Sequence, residues 1–239
     1  MLIFSNGMPK SGSTLARNYL FYLMQFCYGA DPLSPLKSLA ERGEIKLVGS
    51  FVSGLDDSAM KAMLKASSPA TPIIAKCHQP LTKEFSDCIN DGAKVVYTYR
   101  HPFDIILSSR DHAERTSQSK MPQFQGFAED DFAMRTVKRY CQVALEWKDC
   151  PGACLVRYED LVPDPATTLS KVCSELNLPA SKDHVAATIA QELRVRAPGI
   201  SQFNTGKTYR FRREMDKDLL ASCQAELRDE VLALGYSIE

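Results

Sequence analysis

The chain has 239 residues, of which 44% are hydrophobic, and this length and composition fit one globular domain with a full core. Lysine plus arginine and aspartate plus glutamate each number 29, so the zero net charge gives no basis for bulk attraction to nucleic acid or an acidic membrane. No apolar run approaches the roughly 20 residues of a membrane span, and the first residues lack the basic segment of a signal peptide. We therefore expect a cytoplasmic protein without a membrane span or a nucleic-acid partner.

Strand and helix signals alternate along the chain, which is the pattern of an α/β parallel sheet flanked by helices. The predicted strands are 2–6, 73–77, 94–99 and 153–157, and the predicted helices are 14–27, 57–66, 102–112, 129–149, 166–177, 181–194 and 214–234. Much of 29–72, the stretch 195–213 and a polar segment at 116–127 lack a clear period, and we expect 116–127 to be a mobile loop. No linker is visible, so residues 1–239 are predicted to form a single domain.

The eight cysteines are scattered, without C-x-x-C pairs or neighbouring histidines. This spacing gives little support for metal binding, and we expect free thiols that act as small core hydrophobes. Cys150 and Cys154 flank a Pro-Gly turn and remain a candidate pair for an oxidising compartment. No metal site is predicted.

The first strand runs into a glycine-bounded loop, Gly7-Met8-Pro9-Lys10-Ser11-Gly12-Ser13-Thr14, and then into a helix. Glycines allow backbone N–H groups to turn inward, and the N-terminus of the helix attracts an anion, so the loop can hold a phosphate. A nucleotide-binding P-loop has a lysine where this chain has Ser13, and the lysine here is Lys10 instead. The loop is therefore poorly built to reach the β- and γ-phosphates of a nucleoside triphosphate. By itself the pattern fits a plain strand–turn–helix equally well.

Three further predicted strands end in polar clusters. These are Lys76-Cys77-His78-Gln79-Pro80, Tyr99-Arg100-His101-Pro102-Phe103-Asp104, and Tyr158-Glu159-Asp160-Leu161. Ligands of open parallel sheets bind at the carboxyl edge, where such clusters meet. The four strand ends together predict a shared site for an anionic ligand.

In these motifs the chain resembles the sulfotransferases that use 3′-phosphoadenosine 5′-phosphosulfate (PAPS). Residues 9–14, P-K-S-G-S-T, are similar to the family's 5′-phosphosulfate loop, and residues 100–108, R-H-P-F-D-x-x-x-S, are similar to its 3′-phosphate motif. The K-x-H-x-P of residues 76–80 stands where many members carry the histidine that activates the acceptor, and Y-E-D-L at 158–161 is a further hallmark. The motifs occur in the family's order and spacing.

The resemblance implies a P-loop-NTPase-like sulfotransferase fold and in-line transfer of a sulfuryl group from PAPS to an acceptor hydroxyl or amine, without a metal. It implies that Lys10 neutralises the departing 5′-phosphate, that Lys76 adds charge beside it, and that His78 is the general base. Arg100 and Ser108 would bind the 3′-phosphate. The implied catalytic residues are Lys10, Lys76 and His78, and the implied donor-binding residues are Lys10, Ser11, Gly12, Ser13, Thr14, Leu15, Arg100, Ser108, Tyr158, Gly206 and Lys207.

The resemblance weakens in two places. Many members have an R-K-G-x-x-G-D-W-like segment, and in the corresponding region Gly206 fits whereas Asn204 and Thr205 replace the basic pair. Lys207 and Arg210 are alternative substitutes for the missing positive charge. Leu15 stands where many cytosolic members have an aromatic residue that stacks on adenine.

Several residues of these motifs also have structural interpretations. His101 is expected to shape the turn before Pro102, and Asp104 is expected to act as a first-turn carboxylate that interacts with the helix dipole. Tyr158 is expected either to pack near adenine or to support Arg100, and a purely structural role fits equally.

Two other functions stay open, namely a nucleotide kinase or NTPase and a nucleotide-binding module without turnover. The acceptor, a small molecule or a carrier-bound group, is expected to contact 29–72, 116–127 and parts of 195–213, which are the segments with the least pattern. The sequence gives no indication of the oligomeric state.

Overall fold

The computed structural model describes residues 1–49, 51–116, 122–195 and 206–239. Its strands are β1 (Leu2–Gly7), β2 (Lys46–Val48), β3 (Phe51–Ser53), β4 (Ile73–Lys76), β5 (Lys94–Tyr99) and β6 (Ala153–Arg157). Its α-helices are α1 (Ser13–Tyr28), α2 (Ser34–Glu41), α3 (Asp57–Ala66), α4 (Lys83–Asn90), α5 (Pro102–Arg115), α6 (Asp130–Lys148), α7 (Tyr158–Leu161), α8 (Pro165–Glu175), α9 (Lys182–Val195), α10 (Phe211–Glu214), α11 (Lys217–Glu226) and α12 (Arg228–Ala233). A 3₁₀ helix covers Pro122–Ala128.

The strands form one sheet in the order β2-β3-β4-β1-β5-β6. β1 pairs in parallel with β4 on one side and with β5 on the other, and β5 pairs in parallel with β6. Only the short hairpin between β2 and β3 is antiparallel among the described pairings. The carboxyl ends of β1, β4, β5 and β6 consequently lie at the same edge of the sheet.

Helices cover both faces of the sheet, and β1 shows how the sequence divides between them. Leu2 and Phe4 lie in one core cluster while Ile3, between them, lies in the other, as expected for a strand whose side chains alternate. All three side chains are fully buried. Near-continuous apolar strands therefore arise here because the sheet has no face that is open to water.

The larger core cluster centres on Trp147 of α6, which is fully buried. Its ring stacks on Tyr97 at a centroid distance of 5.6 Å and meets Phe85 edge-on at 5.2 Å. The indole N–H donates a hydrogen bond of 2.9 Å to the carbonyl oxygen of Gln79. Trp147 thus anchors α6 to the segment that follows β4, where His78 lies.

Most of the sequence-predicted elements are confirmed. Each predicted strand is present, and the helices predicted between residues 14 and 194 occur within a few residues of their predicted ends. The predicted helix 214–234 is wrong in detail, because α11 and α12 are separate helices that meet at Leu227. Among the described residues, no helix is both long and apolar enough to cross a membrane.

The structure also holds elements that the sequence analysis did not predict. These are α2 and the β2–β3 hairpin within 29–72, α4 between β4 and β5, α7 after β6, and α10 at the end of 195–213. The loop predicted at 116–127 is in part the 3₁₀ helix, and its residues 117–121 lie outside the described residues, as do 196–205 of the stretch 195–213. All eight cysteines are described and none is disulfide-bonded, so Cys150 and Cys154 do not form the pair that the sequence left open.

Candidate active site

The loop between β1 and α1 contains residues with a left-handed backbone conformation. Gly12 has a φ of 84°, and a Cβ added there would lie 2.6 Å from the ring of Tyr158, so this position requires glycine. Lys10 has a φ of 66°, a conformation that costs a non-glycine residue of order 1–3 kcal/mol. Such strain is concentrated at functional positions, and here it falls on the lysine that the sequence singled out.

The Ser11 side chain fixes this loop to the neighbouring strand. Its hydroxyl lies 2.7 Å from the carbonyl oxygen of Met8 and 2.8 Å from the hydroxyl of Thr98 at the end of β5. Ser11 is fully buried. The backbone N–H of Ser11 also donates to the Met8 carbonyl oxygen, at 3.2 Å. Ser11 therefore fixes the shape of the loop, and the N–H groups available to an anion are those in the first turn of α1.

The first turn of α1 is prepared for a negative ligand. α1 is preceded by Gly12, so it has no side-chain cap, and its first turn contains no acidic residue. By contrast, an N-cap side chain accepts a backbone N–H bond at the start of α3, α4, α8 and α11. The first N–H groups of α1 and its dipole are thus directed toward the loop. Ser13 is buried there, and the Thr14 hydroxyl accepts a hydrogen bond of 2.7 Å from the ammonium group of Lys76.

Two half-buried lysines place positive charge beside this helix end. Burial lowers the pKa of Lys10 to about 8, and the nearby positive charges of Arg115 and Arg100 lower it further, while Asp111 opposes the shift. Burial also lowers the pKa of Lys76 to about 8, with Arg17 contributing. Neither ammonium group has an ion pair among the described residues, and a bound anion would raise both pKa values.

His78, which follows β4, is joined to the loop by a short hydrogen bond. Its Nδ1 lies 2.6 Å from the carbonyl oxygen of Gly7. A carbonyl oxygen only accepts, so Nδ1 carries the hydrogen and Nε2 is left with its lone pair. Burial lowers the pKa of His78 to about 4, although the bond to Gly7 acts in the opposite direction. The imidazole is therefore neutral near pH 7 and has one basic nitrogen available.

Arg100, which follows β5, is held by several elements. One of its terminal nitrogens donates to the Asp104 carboxylate and to the carbonyl oxygen of Lys207, each at 2.9 Å, and the other donates to the carbonyl oxygen of Lys10 at 3.4 Å. The guanidinium lies 4.3 Å from the ring centroid of Tyr158. Its buried Nε–H has no partner among the described residues. A buried donor without a partner is costly, so this N–H group makes Arg100 a candidate for binding a ligand.

The Y-E-D-L segment forms α7 and supports both the loop and Arg100. Tyr158 lies between Gly12 and the Arg100 guanidinium, which agrees with the supporting role that was one of its predicted alternatives. The Glu159 carboxylate accepts the backbone N–H of His101 at 3.0 Å and the hydroxyl of Tyr236 at 2.7 Å. Glu159 holds the turn before α5 in place, a positioning role that the sequence analysis did not assign.

The described contacts of His101 and Asp104 hold neighbouring segments of the protein together. His101 is fully buried, accepts the backbone N–H of Phe103 at 3.3 Å, and lies 3.1 Å from the carbonyl oxygen of Ser237. Asp104 stands in the first turn of α5, as expected, but its second oxygen accepts the backbone N–H of Phe211 at 3.0 Å. It therefore joins α10 to Arg100 in addition to facing the helix dipole.

The remaining residues predicted to bind the donor differ in their burial and in their distance from Arg100. Ser108 is buried on α5, two helical turns after Arg100. The Leu15 side chain is only 3% exposed and packs in the core cluster beneath α1, and its contact with the donor stays a prediction. Gly206 and Lys207 come close to the site through the Lys207 carbonyl oxygen, which Arg100 binds. The Lys207 ammonium is exposed and lies 4.0 Å from Glu214.

Arg210, the alternative to Lys207, has a different environment. Its guanidinium is buried and lies 2.7 Å from the Asp111 carboxylate and 2.6 Å from that of Glu214. Two carboxylates already neutralise this guanidinium, whereas Lys207 has one at a longer distance. Among the described residues, Lys207 is therefore the better available substitute for the family's missing basic pair.

A cavity of about 660 Å³ opens beside His78, a volume typical of small-molecule sites. One wall comes from the loop and the segment after β4, and the other comes from α6, which the sequence analysis did not connect with the site. The described lining residues are Gly7, Met8, Pro9, His78, Gln79, Pro80, Tyr97, Phe132, Arg135, Thr136, Arg139, Tyr140 and Val143. Among all the described residues, no group of three or more His, Cys, Asp or Glu side chains is placed to hold a metal ion.

Structures with this fold have been solved for several sulfotransferases. Retinol dehydratase in complex with androsterone and the inactive cofactor PAP shares 18% identity, with 96% of this chain and 80% of that chain covered and a TM-score of 0.60. Mouse sulfotransferase SULT7A1 complexed with PAP shares 14% identity, with 96% and 83% covered and a TM-score of 0.61. A sulfotransferase from Alicyclobacillus acidocaldarius shares 15% identity, with 97% and 93% covered and a TM-score of 0.53.

A search of the curated proteins found no significant match to this chain. The family model described as a sulfotransferase domain matches residues 3–219, a span that contains the loop, the strand ends and α6. The solved structures share the overall fold. The chain therefore belongs to the sulfotransferase domain family.

Proposed function

We propose that this sulfotransferase transfers a sulfuryl group from PAPS to the hydroxyl or amine of a small or carrier-bound acceptor, with residues 1–239 forming one catalytic domain. The observation that carries the proposal is the 2.6 Å hydrogen bond between His78 and Gly7. It holds a neutral imidazole against the first residue of the phosphate-binding loop, at the wall of a cavity large enough for an acceptor. A base, an anion site and an acceptor cavity thus adjoin one another.

Three features support PAPS as the donor. The uncapped first turn of α1 and the ammonium groups of Lys10 and Lys76 suit the 5′-phosphosulfate, and the unpartnered Nε–H of Arg100 suits the 3′-phosphate. Ser108 is the second candidate for the 3′-phosphate. Retinol dehydratase and the mouse sulfotransferase, which share the fold, are both described with PAP, the product that PAPS leaves.

The chemistry that the donor supplies is a sulfur atom bonded to a good leaving group, the 5′-phosphate. The acceptor oxygen forms a new bond to sulfur as the bond between sulfur and the 5′-phosphate oxygen breaks. Negative charge grows on the departing phosphate, and Lys10 and Lys76 stabilise it electrostatically. The acceptor proton moves to Nε2 of His78, because Nδ1 is committed to Gly7.

The pKa of about 4 for His78 keeps its base form ready in the free protein. Proton uptake becomes favourable only as the reaction proceeds, when negative charge at the neighbouring donor site stabilises the imidazolium. The hydrogen bond from Nδ1 to Gly7 strengthens as the ring becomes positive, which favours the same step.

Transfer of radiolabelled sulfuryl from PAPS to a panel of phenols, alcohols and amines tests this mechanism. We expect His78→Ala to lower turnover by roughly 10²–10⁴-fold, the usual contribution of a general base, while the affinity for PAP changes less than about twofold. His184→Ala provides a matched control, since that histidine lies on α9 and is not among the cavity residues. A His78→Ala protein as active as the wild type would remove the base assignment, and a wild-type protein that does not bind PAP would remove the donor.

A further inference from the structure

The wall that α6 gives to the acceptor cavity is one continuous helix face. Its residues recur at intervals of three and four, which places them on one side of the helix: Phe132, Arg135, Thr136, Arg139, Tyr140 and Val143. Two arginines one helical turn apart are thus flanked by aromatic and apolar side chains. The inference drawn from this face concerns the acceptor and rests on the proposed function.

Arg135 and Arg139 have no hydrogen-bond or ion-pair partner among the described residues, and both are exposed. Other arginines near the site do have acidic partners, as Arg110 does with Asp130 and Arg210 with Glu214. None of the described residues that line the cavity is an aspartate or glutamate. The cavity therefore has two positive charges without an ion pair on one wall, although Arg135 also borders a second cavity that Asp131 and Glu226 line.

A pair of guanidinium groups on a rigid helix suits a ligand with planar anionic oxygens. Each guanidinium presents several N–H donors in a fixed plane, and together they can bind a carboxylate or phosphate from two positions one turn apart. The aromatic rings of Phe132 and Tyr140 flank this pair on the same face and offer apolar surface for the rest of the molecule.

We propose that the acceptor is an amphipathic anion, with an apolar body and a carboxylate or phosphate group that Arg135 and Arg139 bind. The anionic group lies against α6, and the hydroxyl or amine to be sulfated lies toward His78 on the facing wall. A neutral molecule of the same shape leaves the two guanidinium groups unpaired and binds more weakly.

Two fluorescent probes that share an anilinonaphthalene body and differ by one anionic sulfonate group test this proposal. These are 8-anilinonaphthalene-1-sulfonate and its neutral analogue N-phenyl-1-naphthylamine, each titrated into protein saturated with PAP so that the donor site is filled. We expect the sulfonate to bind at least about tenfold more tightly than the neutral probe. In a double variant, Arg135→Gln with Arg139→Gln, this preference disappears while the neutral probe keeps its affinity within about twofold.

Arg194→Gln is the matched control, because it removes the same charge from an exposed arginine far from the cavity. Arg194 lies on α9, which packs on α1 at the other face of the sheet. Equal affinities for the two probes in the wild type, or an unchanged preference in the double variant, would overturn the inference. PAP affinity, measured on the same samples, tests the proposed function separately. If PAP binds and the charge preference is absent, only the anionic acceptor is refuted; if PAP does not bind, the donor assignment is refuted, and the probe titrations without PAP still decide the role of the arginines.

Discussion

The affinity for PAP should fall steeply as the pH rises from 7 to 9, because Lys10 and Lys76 both have a pKa of about 8 in the free protein. A group with that pKa is about 90% protonated at pH 7 and about 10% protonated at pH 9. A bound anion raises the pKa, so binding takes up protons and weakens as the pH passes the free-protein value. Each lysine then contributes about a tenfold loss of affinity, and the two together about a hundredfold, or about 2.7 kcal/mol.

Isothermal titration calorimetry at pH 7, 8 and 9 and constant ionic strength measures this loss directly. The second ionisation of a phosphate has a pKa of about 6, so the charge of PAP itself changes little over this range. Lys10→Arg and Lys76→Arg should each remove about tenfold of the pH dependence, because arginine stays protonated. Lys61→Arg, an exposed lysine on α3, should keep the wild-type dependence. An affinity that is constant from pH 7 to 9 would refute the electrostatic account of the site.

Other substitutions test how the site is held. Gly12→Ala should destabilise the fold by about 1–3 kcal/mol in urea denaturation and weaken PAP binding, because the added Cβ would lie 2.6 Å from Tyr158. Gly29 has a similar φ but nothing within 4 Å of an added Cβ, so Gly29→Ala should leave PAP affinity unchanged. An equal loss of PAP affinity in the two variants would contradict the steric reason. Trp147→Phe should cost about 1–3 kcal/mol, because a smaller ring replaces the fully buried indole and its hydrogen bond to the Gln79 carbonyl is lost, although Asn6 still donates to that carbonyl. A loss near zero would show that Trp147 does not anchor α6. Arg100→Lys should lower PAP affinity at least about tenfold, because lysine cannot reproduce the planar set of donors, and an affinity equal to wild type would place the 3′-phosphate elsewhere.

The part of the site that could be predicted from sequence lies at the strand ends. Lys10, Lys76, His78 and Arg100 each follow a strand whose apolar pattern is clear, and parallel strands bring their carboxyl ends to one edge. Local sequence and sheet geometry were therefore enough to bring these residues together.

The wall formed by α6 could not be predicted in the same way. The helix itself was predicted. However, residues spaced by three and four positions can form either a face that packs in the core or a face that contacts a ligand, and the sequence does not distinguish the two. α6 has a core side as well, because it buries Trp147. Which neighbour the Arg135 face meets depends on tertiary packing. The β2–β3 hairpin escaped prediction because each strand has three residues, too few to show an alternation.

Leu15 is one of the places where the resemblance is weak. It stands where many members have an aromatic residue that stacks on adenine, and its short branched side chain is buried in the core beneath α1. Glu159 shows the opposite case, since a hallmark of unknown purpose proves to hold the backbone before α5.

We expect the loop around Lys10 to bind the bisphosphate PAP and not a magnesium-bound triphosphate. Titration calorimetry of the wild-type protein with PAP and, separately, with magnesium-ATP distinguishes these two ligands, and thermal unfolding at a saturating concentration of each ligand supports it. The expected result is saturable binding of PAP, with about 2.7 kcal/mol of added stability at one hundred times its Kd, and no binding of magnesium-ATP. Binding of magnesium-ATP alone would instead identify a kinase-like site, and binding of neither would leave the loop an ordinary turn.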